Sequence, residues 1–381
     1  MRKHLPKLLA IAGGAATLLI CTSPASAQTS TPPKSRLLER YAKTFNVSPE
    51  EAERRSTLRK EIGELNAKLE QSEPDSFAGM HLEHTPTFRA TVRFKGDASA
   101  TLARYTKNPL FVPRVAEVSV RDLVQTQSTV YGLLKALNIE STSRVMVSTG
   151  RVDFFVADPA AVKQLVVTGA LKVPSYVTFG QANRLDAARQ ADAIGGRPLT
   201  GGVCTSGFVV KSSTTRYLMT AGHCGHTGTV MTYNGVALPV VGRNFQPNTS
   251  YDYQWHSTPG FTLTNLIDEG LPELRRINYV WPHANMVEDD FICKYGVITD
   301  FTCGSIVTKY YNLVGHPGYV LVRSPGSNLS EKGDSGGPWF YDQYNEAWGS
   351  HSDDGREDPN DAVFMPISYI SASNLSVLTT P

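Results

Sequence analysis

Net charge is almost absent from this chain of 381 residues: 37 basic against 35 acidic side chains leave +2, so there is no electrostatic case for a nucleic-acid partner. Cysteine is scarce, at five residues, and the first of these, Cys21, falls in an N-terminal segment that reads as a targeting signal. The apolar stretch LLAIAGGAATLLI is too short for a comfortable membrane span. Arg2, Lys3 and Lys7 precede it and Ala25 to Ala27 follow it as "ASA", the pattern of a secretory signal peptide over residues 1–27. Secretion, an extracellular location and no membrane anchor are therefore expected. Ile20 stands before Cys21, where a lipid-attachment site wants a small side chain.

Four cysteines remain after the signal: Cys204, Cys224, Cys293 and Cys303. In an exported chain they predict two disulfides, for which three connectivities exist. Pairing neighbours, Cys204 with Cys224 and Cys293 with Cys303, closes two short loops and is preferred. The string "HCGH" at 223–226 has no second Cys/His cluster near it, so no metal site is expected, and nothing in the chain asks for a cofactor.

The chain changes texture along its length. "SPEEAERRSTLRKEIGELNAKLEQ" predicts a charged helix with Ser48 as N-cap, Pro49 in the first turn and Glu51 closing a capping box. "TFRATVRFKG" and "RVDFFVAD" have strand-like runs, and "STVYGLLKALN" and "PAAVKQLVVTG" carry helical spacing. Residues 28–190 thus read as an α+β domain, with a boundary at about 185–196. From about Gly195 the helical periodicity fades into short β-rich stretches broken by Gly, Thr, Asn and Pro. Residues 191–381 therefore predict an all-β domain of antiparallel strands, a barrel or a sandwich.

"EKGDSGGPWF" at 331–340 places Ser335 between glycines. The G-x-S-x-G pattern alone fits the nucleophile elbow of an α/β-hydrolase, but that fold needs an acid and then a histidine after the serine on a parallel, helix-wound sheet. Here the only later histidine is His351, preceded by Asp342 and Glu346, and no helical crossovers surround the motif. The order His, Asp, Ser works better. His223 in "LMTAGHCG" follows a hydrophobic strand end and adjoins Cys224, which a disulfide can fix; rigid placement is what a general base for a serine hydroxyl requires. Asp252, Asp268, Asp289, Asp290 and Asp300 are the candidates for the orienting acid between His223 and Ser335. Asp252, among Tyr251, Tyr253 and Trp255, is the one expected to be desolvated, and the pair Asp289–Asp290 reads as a solvated turn.

"TAGHC" and "GDSGGP", in this order in an exported chain, resemble the chymotrypsin-like serine proteases, and among them the secreted bacterial streptogrisin and α-lytic protease branch. "FAGMHLEHTPTFRATVRF" and "TGRVDFFVADPAAV" are similar to the N-terminal pro-regions of that branch. The resemblance implies two antiparallel six-stranded β-barrels, a serine endopeptidase made as a precursor, and a monomer whose partners are polypeptide substrates and its own pro-region. It assigns His223 as general base, Asp252 as its orienting acid, Ser335 as nucleophile, and the N–H groups of Gly333 and Ser335 as the oxyanion hole. It also implies that Asp334, buried beside that hole, pairs with Lys294, where relatives carry arginine, with Arg275, Arg276 or Arg323 as alternatives. By the same likeness "WGSHSDDG" borders the specificity pocket through His351, Ser352 and Asp353. His351 suits acidic side chains, whereas Asp353 and Asp354 suit basic ones, so the cues conflict. "SDDGREDPND" reads as an acidic surface turn in preference to a calcium loop. A catalytically weak binding protein and an esterase on the same scaffold are the rival classes.

Overall fold

The computed structural model describes residues 35–182, 195–199, 204–225, 230–246, 248–271 and 274–380; the expected signal peptide and nearly all of the expected processing stretch at 185–196 lie outside them. The first elements are two helices, α1 (Arg36–Phe45) and α2 (Pro49–Ser72). Ser35 and Ser48 cap them, accepting the N–H of Leu38 at 3.1 Å and of Glu51 at 3.2 Å and so satisfying donors that a helix start leaves free. Glu51 does not complete a capping box. Its carboxylate is bonded instead to Arg54 and Arg55 one turn on, since two guanidinium groups outcompete one neutral backbone donor.

Among its described residues, the region read as α+β holds six strands. Phe77–Glu83, Arg89–Lys95 and Phe111–Ala116 form one sheet. Ser141–Met146, Arg151–Val156 and Val177–Gln181 form a second group, which does not stop at its own edge. Ser141–Met146 pairs antiparallel with Asp300–Leu313 through Ser143 opposite Asn312 and Arg144 opposite Tyr311, so a single ten-stranded sheet runs across both parts of the chain. The helical expectations for 128–138 and 159–169 correspond to helices Val120–Ala136 and Pro159–Val167.

In the β-rich part, six strands close on themselves. Phe291–Gly296 pairs on one side with Asp300–Leu313 and on the other with Pro338–Tyr341; Glu346–Asp354, Asp361–Pro366 and His316–Arg323 complete the circuit. The second expected barrel differs. Val240–Phe245, Asp252–His256, Thr215–Thr220, Ser206–Ser212 and Ser376–Val377 form an open five-strand path, and Met231–Tyr233 pairs only with Val236–Leu238. Among the described residues, then, one ring of six is closed and the other is not.

From Ser35 onward the chain packs as one unit. Leu37, Tyr41 and Ala52 of the two helices share a core with Phe291, Trp339, Tyr341 and Trp348 of the closed ring, whereas Leu69, Phe94, Leu134 and Phe154 make a second core that Val287 joins from the β-rich part. The change of texture near residue 190 is therefore no break in packing. Burying apolar surface across this boundary, with strand pairing and the Lys309–Glu70 ion pair at 2.8 Å, holds the two parts by more than their covalent link. We expect that cutting the chain at a site engineered between Ala182 and Gly195 leaves two fragments that co-elute on size exclusion. Separate elution in native buffer would show these contacts to be too weak.

Candidate active site

Strand Thr215–Thr220 delivers the chain into the short 3₁₀ turn Gly222–Cys224, which carries His223. The neighbouring strand begins at Asp252 and pairs with the first through Gln254 opposite Thr220, which puts Asp252 beside the turn. One Asp252 oxygen accepts the His223 backbone N–H at 2.8 Å; the other lies 2.8 Å from Nδ1 of the ring. The Ser352 hydroxyl donates to that second oxygen at 2.5 Å. Asp252 is only 1% exposed. Burial by itself would raise its carboxyl pKa, yet the His223 charge and these three hydrogen bonds outweigh that and hold it below its ordinary value. A carboxylate so placed fixes the imidazole with Nε2 facing away from it.

The other aspartates are engaged elsewhere. Asp268 bonds Arg197 at 2.7 Å, and Asp300 is exposed. Asp289 and Asp290 do not form a solvated turn: Asp290 is 4% exposed, and the Asp289 carbonyl accepts from His84 Nε2 at 2.9 Å beneath the N-terminal strands. Their sequence gave no sign of the cover supplied from residues far away.

The segment around Ser335 is tied to the His223 turn by Thr205. Its N–H donates to the Ser335 carbonyl at 2.5 Å and its hydroxyl donates to the Gly333 carbonyl at 2.9 Å, while Cys204 beside it is disulfide-bonded to Cys224 beside His223. Gly336 has φ +87°, and a Cβ there would sit 2.0 Å from the Thr205 carbonyl, so only glycine lets the two segments approach this closely. Asp334, Gly336 and Gly337 direct their N–H groups to the carbonyls of Glu331, His351 and Asp334. Among the described residues the N–H groups of Gly333 and Ser335 have no such acceptor, and Gly333 has φ +117°.

Behind this loop lies a closed ion pair. Lys294 Nζ and Asp334 are both fully buried and 2.7 Å apart. Nζ also donates to the Thr299 hydroxyl at 2.7 Å, and the N–H groups of Ile298, Thr299 and Glu331 reach the Asp334 carboxylate at 3.0, 3.3 and 3.2 Å. Burial opposes ionisation of Asp334, but the Lys294 charge and these donors prevail and depress its pKa from 3.8 to about 2. The alternative cations are occupied: Arg323 holds Asp361 through two hydrogen bonds, Arg275 holds Glu269, and Arg276 reaches Asn265. The second disulfide joins Cys293 to Cys303, directly opposite each other in the strand pair that carries Lys294.

The residues read as specificity determinants stand differently. Ser352 touches Asp252, as described. His351 is 1% exposed and faces the Trp339 ring, and burial, with the nearby Lys294 charge, pulls its pKa down to about 3, so it is a packed neutral imidazole. Asp353 pairs with the buried Arg356, and burial pushes its carboxyl up to about 6 against that attraction. The stretch "SDDGREDPND" is no solvated turn, because Asp361 is held by Arg323 and Arg356 is 2% exposed. Cys204, His223 and Cys224 lie within 4.8 Å of one another, but the disulfide leaves no thiolate to bind a metal. Thr205 and Thr299 were missed at the level of sequence. Only the position of Thr205 after a cysteine offered a hint.

This chain resembles one class of known proteins, the bacterial chymotrypsin-like serine proteases. Streptogrisin-C of Streptomyces griseus is 27% identical over 182 residues, which make up 47% of this chain and 39% of that protein; the chain thus spans well under half the length of this curated relative. Among solved structures, Thermobifida fusca Protease A is 27% identical and Cellulomonas bogoriensis chymotrypsin 25% identical. Each covers 50% of this chain and the whole of its own, with TM-scores of 0.41 and 0.40. No family model matches the chain.

Removing one member of a buried pair strands the other, so Lys294→Met should cost roughly 3–5 kcal/mol. The sign of the pH effect follows from Asp334: because folding depresses its pKa, the stability it contributes is complete above 3.8 and is lost as pH falls through about 2. Without Lys294 burial raises that carboxyl. Acid denaturation followed by tryptophan emission should then move to higher pH in Lys294→Met, and an unchanged midpoint would refute the pairing as a source of stability.

Proposed function

We propose that the chain is the precursor of a secreted serine endopeptidase that cleaves polypeptides through an acyl-enzyme intermediate. The observation that carries this reading is the Asp252 carboxylate, buried and bonded to both the backbone and the ring of His223, in a turn tied through Cys224, Cys204 and Thr205 to the Ser335 loop. In the mechanism His223 Nε2 takes the proton of the Ser335 hydroxyl as its oxygen attacks the scissile carbonyl. Asp252 keeps the imidazole in the required tautomer and stabilises the imidazolium that forms. The N–H groups of Gly333 and Ser335 receive the developing oxyanion, the imidazolium then protonates the leaving amine, and water attacks the ester by the reverse path.

In this reading residues up to about 190 form a pro-region that assists folding and holds the enzyme inactive until it is cut off. Its support is the likeness of 77–94 and 149–162 to known pro-regions, together with strand Ser141–Met146 extending the sheet of the closed ring. A ring built from non-local pairs folds slowly, and a preformed strand beside Asp300–Leu313 is a template for it.

Ser335→Ala should abolish hydrolysis of peptide amides and labelling by a fluorophosphonate, and should leave the secreted chain unprocessed if maturation is autocatalytic. Asp252→Asn should fold yet lose about 10⁴-fold in rate, because the amide favours the wrong tautomer of His223. Steady-state turnover of a peptide amide measures both. Near-normal turnover in Asp252→Asn would transfer the orienting role to another group.

A further inference from the structure

Helix α2 carries seven Lys, Arg or Glu residues in its first half alone, yet the side it buries includes arginine. Arg59 is 5% exposed, and its guanidinium lies between two rings, 4.0 Å from the centroid of Trp281 and 4.2 Å from that of Tyr341. Trp348 is 5.2 Å away and Tyr344 5.7 Å. One guanidinium nitrogen donates to Glu346 at 2.6 Å, and Asp290 adds a second carboxyl to the surrounding field. The other two guanidinium nitrogens have no hydrogen-bond acceptor among the described residues, which leaves the ring faces as their partners.

The walls of this cleft belong entirely to the β-rich part and are assembled by its own backbone. Tyr279–Val280 pairs with Glu346–Ala347, and the Trp281 N–H donates to the Ala347 carbonyl at 2.9 Å, which holds Trp281 stacked on Trp348 at 5.5 Å. Tyr341 lies opposite Glu346 in the ring of strands, and the Trp348 indole N–H also reaches Glu346 at 3.3 Å. A planar cation fits between two flat rings with a carboxylate at its edge; a compact ammonium matches neither the rings nor the edge as well.

We propose that Trp281, Tyr341, Trp348 and Glu346 form a guanidinium-binding pocket, that Arg59 is its resident ligand in the precursor, and that removal of the N-terminal part opens it as an exosite for arginine side chains of polypeptides. The exosite rests on the pro-region reading above, whereas the pocket itself does not. In the precursor the same contact latches α2 to the closed ring.

The test uses the full chain carrying Ser335→Ala, so that no processing intervenes. Adding Arg59→Ala should lower the thermal midpoint and change tryptophan emission. Ethylguanidinium should reverse both at about tenfold lower concentration than ethylammonium at equal ionic strength. Should Arg59→Ala not fold, Arg59→Lys serves: it should lie below wild type in thermal midpoint despite keeping the charge. Equal rescue by the two cations, or a wild-type midpoint in Arg59→Lys, would overturn the pocket. A second arm takes the processed product of the wild-type chain, separated from its N-terminal fragment and blocked at Ser335 by fluorophosphonate, and titrates it with N-acetyl-arginine amide. A saturable change in tryptophan emission, absent with N-acetyl-lysine amide, is expected; no such change overturns the exosite. If no processed product ever forms, the pro-region reading and the exosite fall together, and the rescue experiment still decides the pocket.

Discussion

A carboxylate that is to stay ionised with no access to water needs a compensating charge, and at Asp334 that requirement shapes the segments around it. The charge of Lys294 is brought there by the strand Phe291–Gly296, so this strand must lie beside the Ser335 loop. Gly296 must be glycine, since a Cβ would fall 2.2 Å from the Asp334 oxygen. Ile298, Thr299 and Glu331 turn their N–H groups inward to the same carboxylate. The backbone on either side of Asp334 is thereby immobilised, and with it the geometry of the N–H groups of Gly333 and Ser335. Satisfying one buried charge thus preorganises the loop on which the proposed chemistry depends.

The second buried carboxylate, Asp252, works at closer quarters. Its two oxygens take three donors from two distant segments, the His223 turn and Ser352. Ser352 comes from the closed ring, whereas His223 comes from the open five-strand path. Asp252 therefore lies at the seam between the two sheets and reports on their relative placement. A third charge, Arg59, shows the same economy in another form: aromatic faces and one carboxylate replace water around a cation that fastens a helix to the ring.

Much of the candidate site was legible because its residues sit in short strings where local chemistry is dense. "TAGHC" joins a strand end, a histidine and a cysteine in five residues, and "GDSGG" puts the serine among residues that permit a tight turn. Asp252 stood out by its aromatic neighbours, which promised burial. Elsewhere local reading failed for a definite reason. Asp289–Asp290 and the stretch 352–361 look like solvated turns in isolation, but the cover over the first comes from residues around His84, more than two hundred positions away, and the second closes on Arg323 and Arg356. Likewise α2 reads as a charged surface helix, and nothing within it tells that Arg59 meets rings at 281, 341 and 348.

The sequence by itself determined the kinds of elements and the order of the candidate groups: a helix capped at Ser48, short strands after Gly195, and a histidine, an aspartate and a serine in that order, whereas it only favoured the pairing of neighbouring cysteines that the structure shows. These follow from interactions within a few residues, where chain geometry leaves few choices. Only the tertiary structure decided which acid meets His223, that the open path and the closed ring differ, that strand Ser141–Met146 continues the ring's sheet, and that His351 is packed and neutral. Each of those depends on which distant segment removes water from a given group, and desolvation is a property of the assembled surroundings, written in no short stretch of chain.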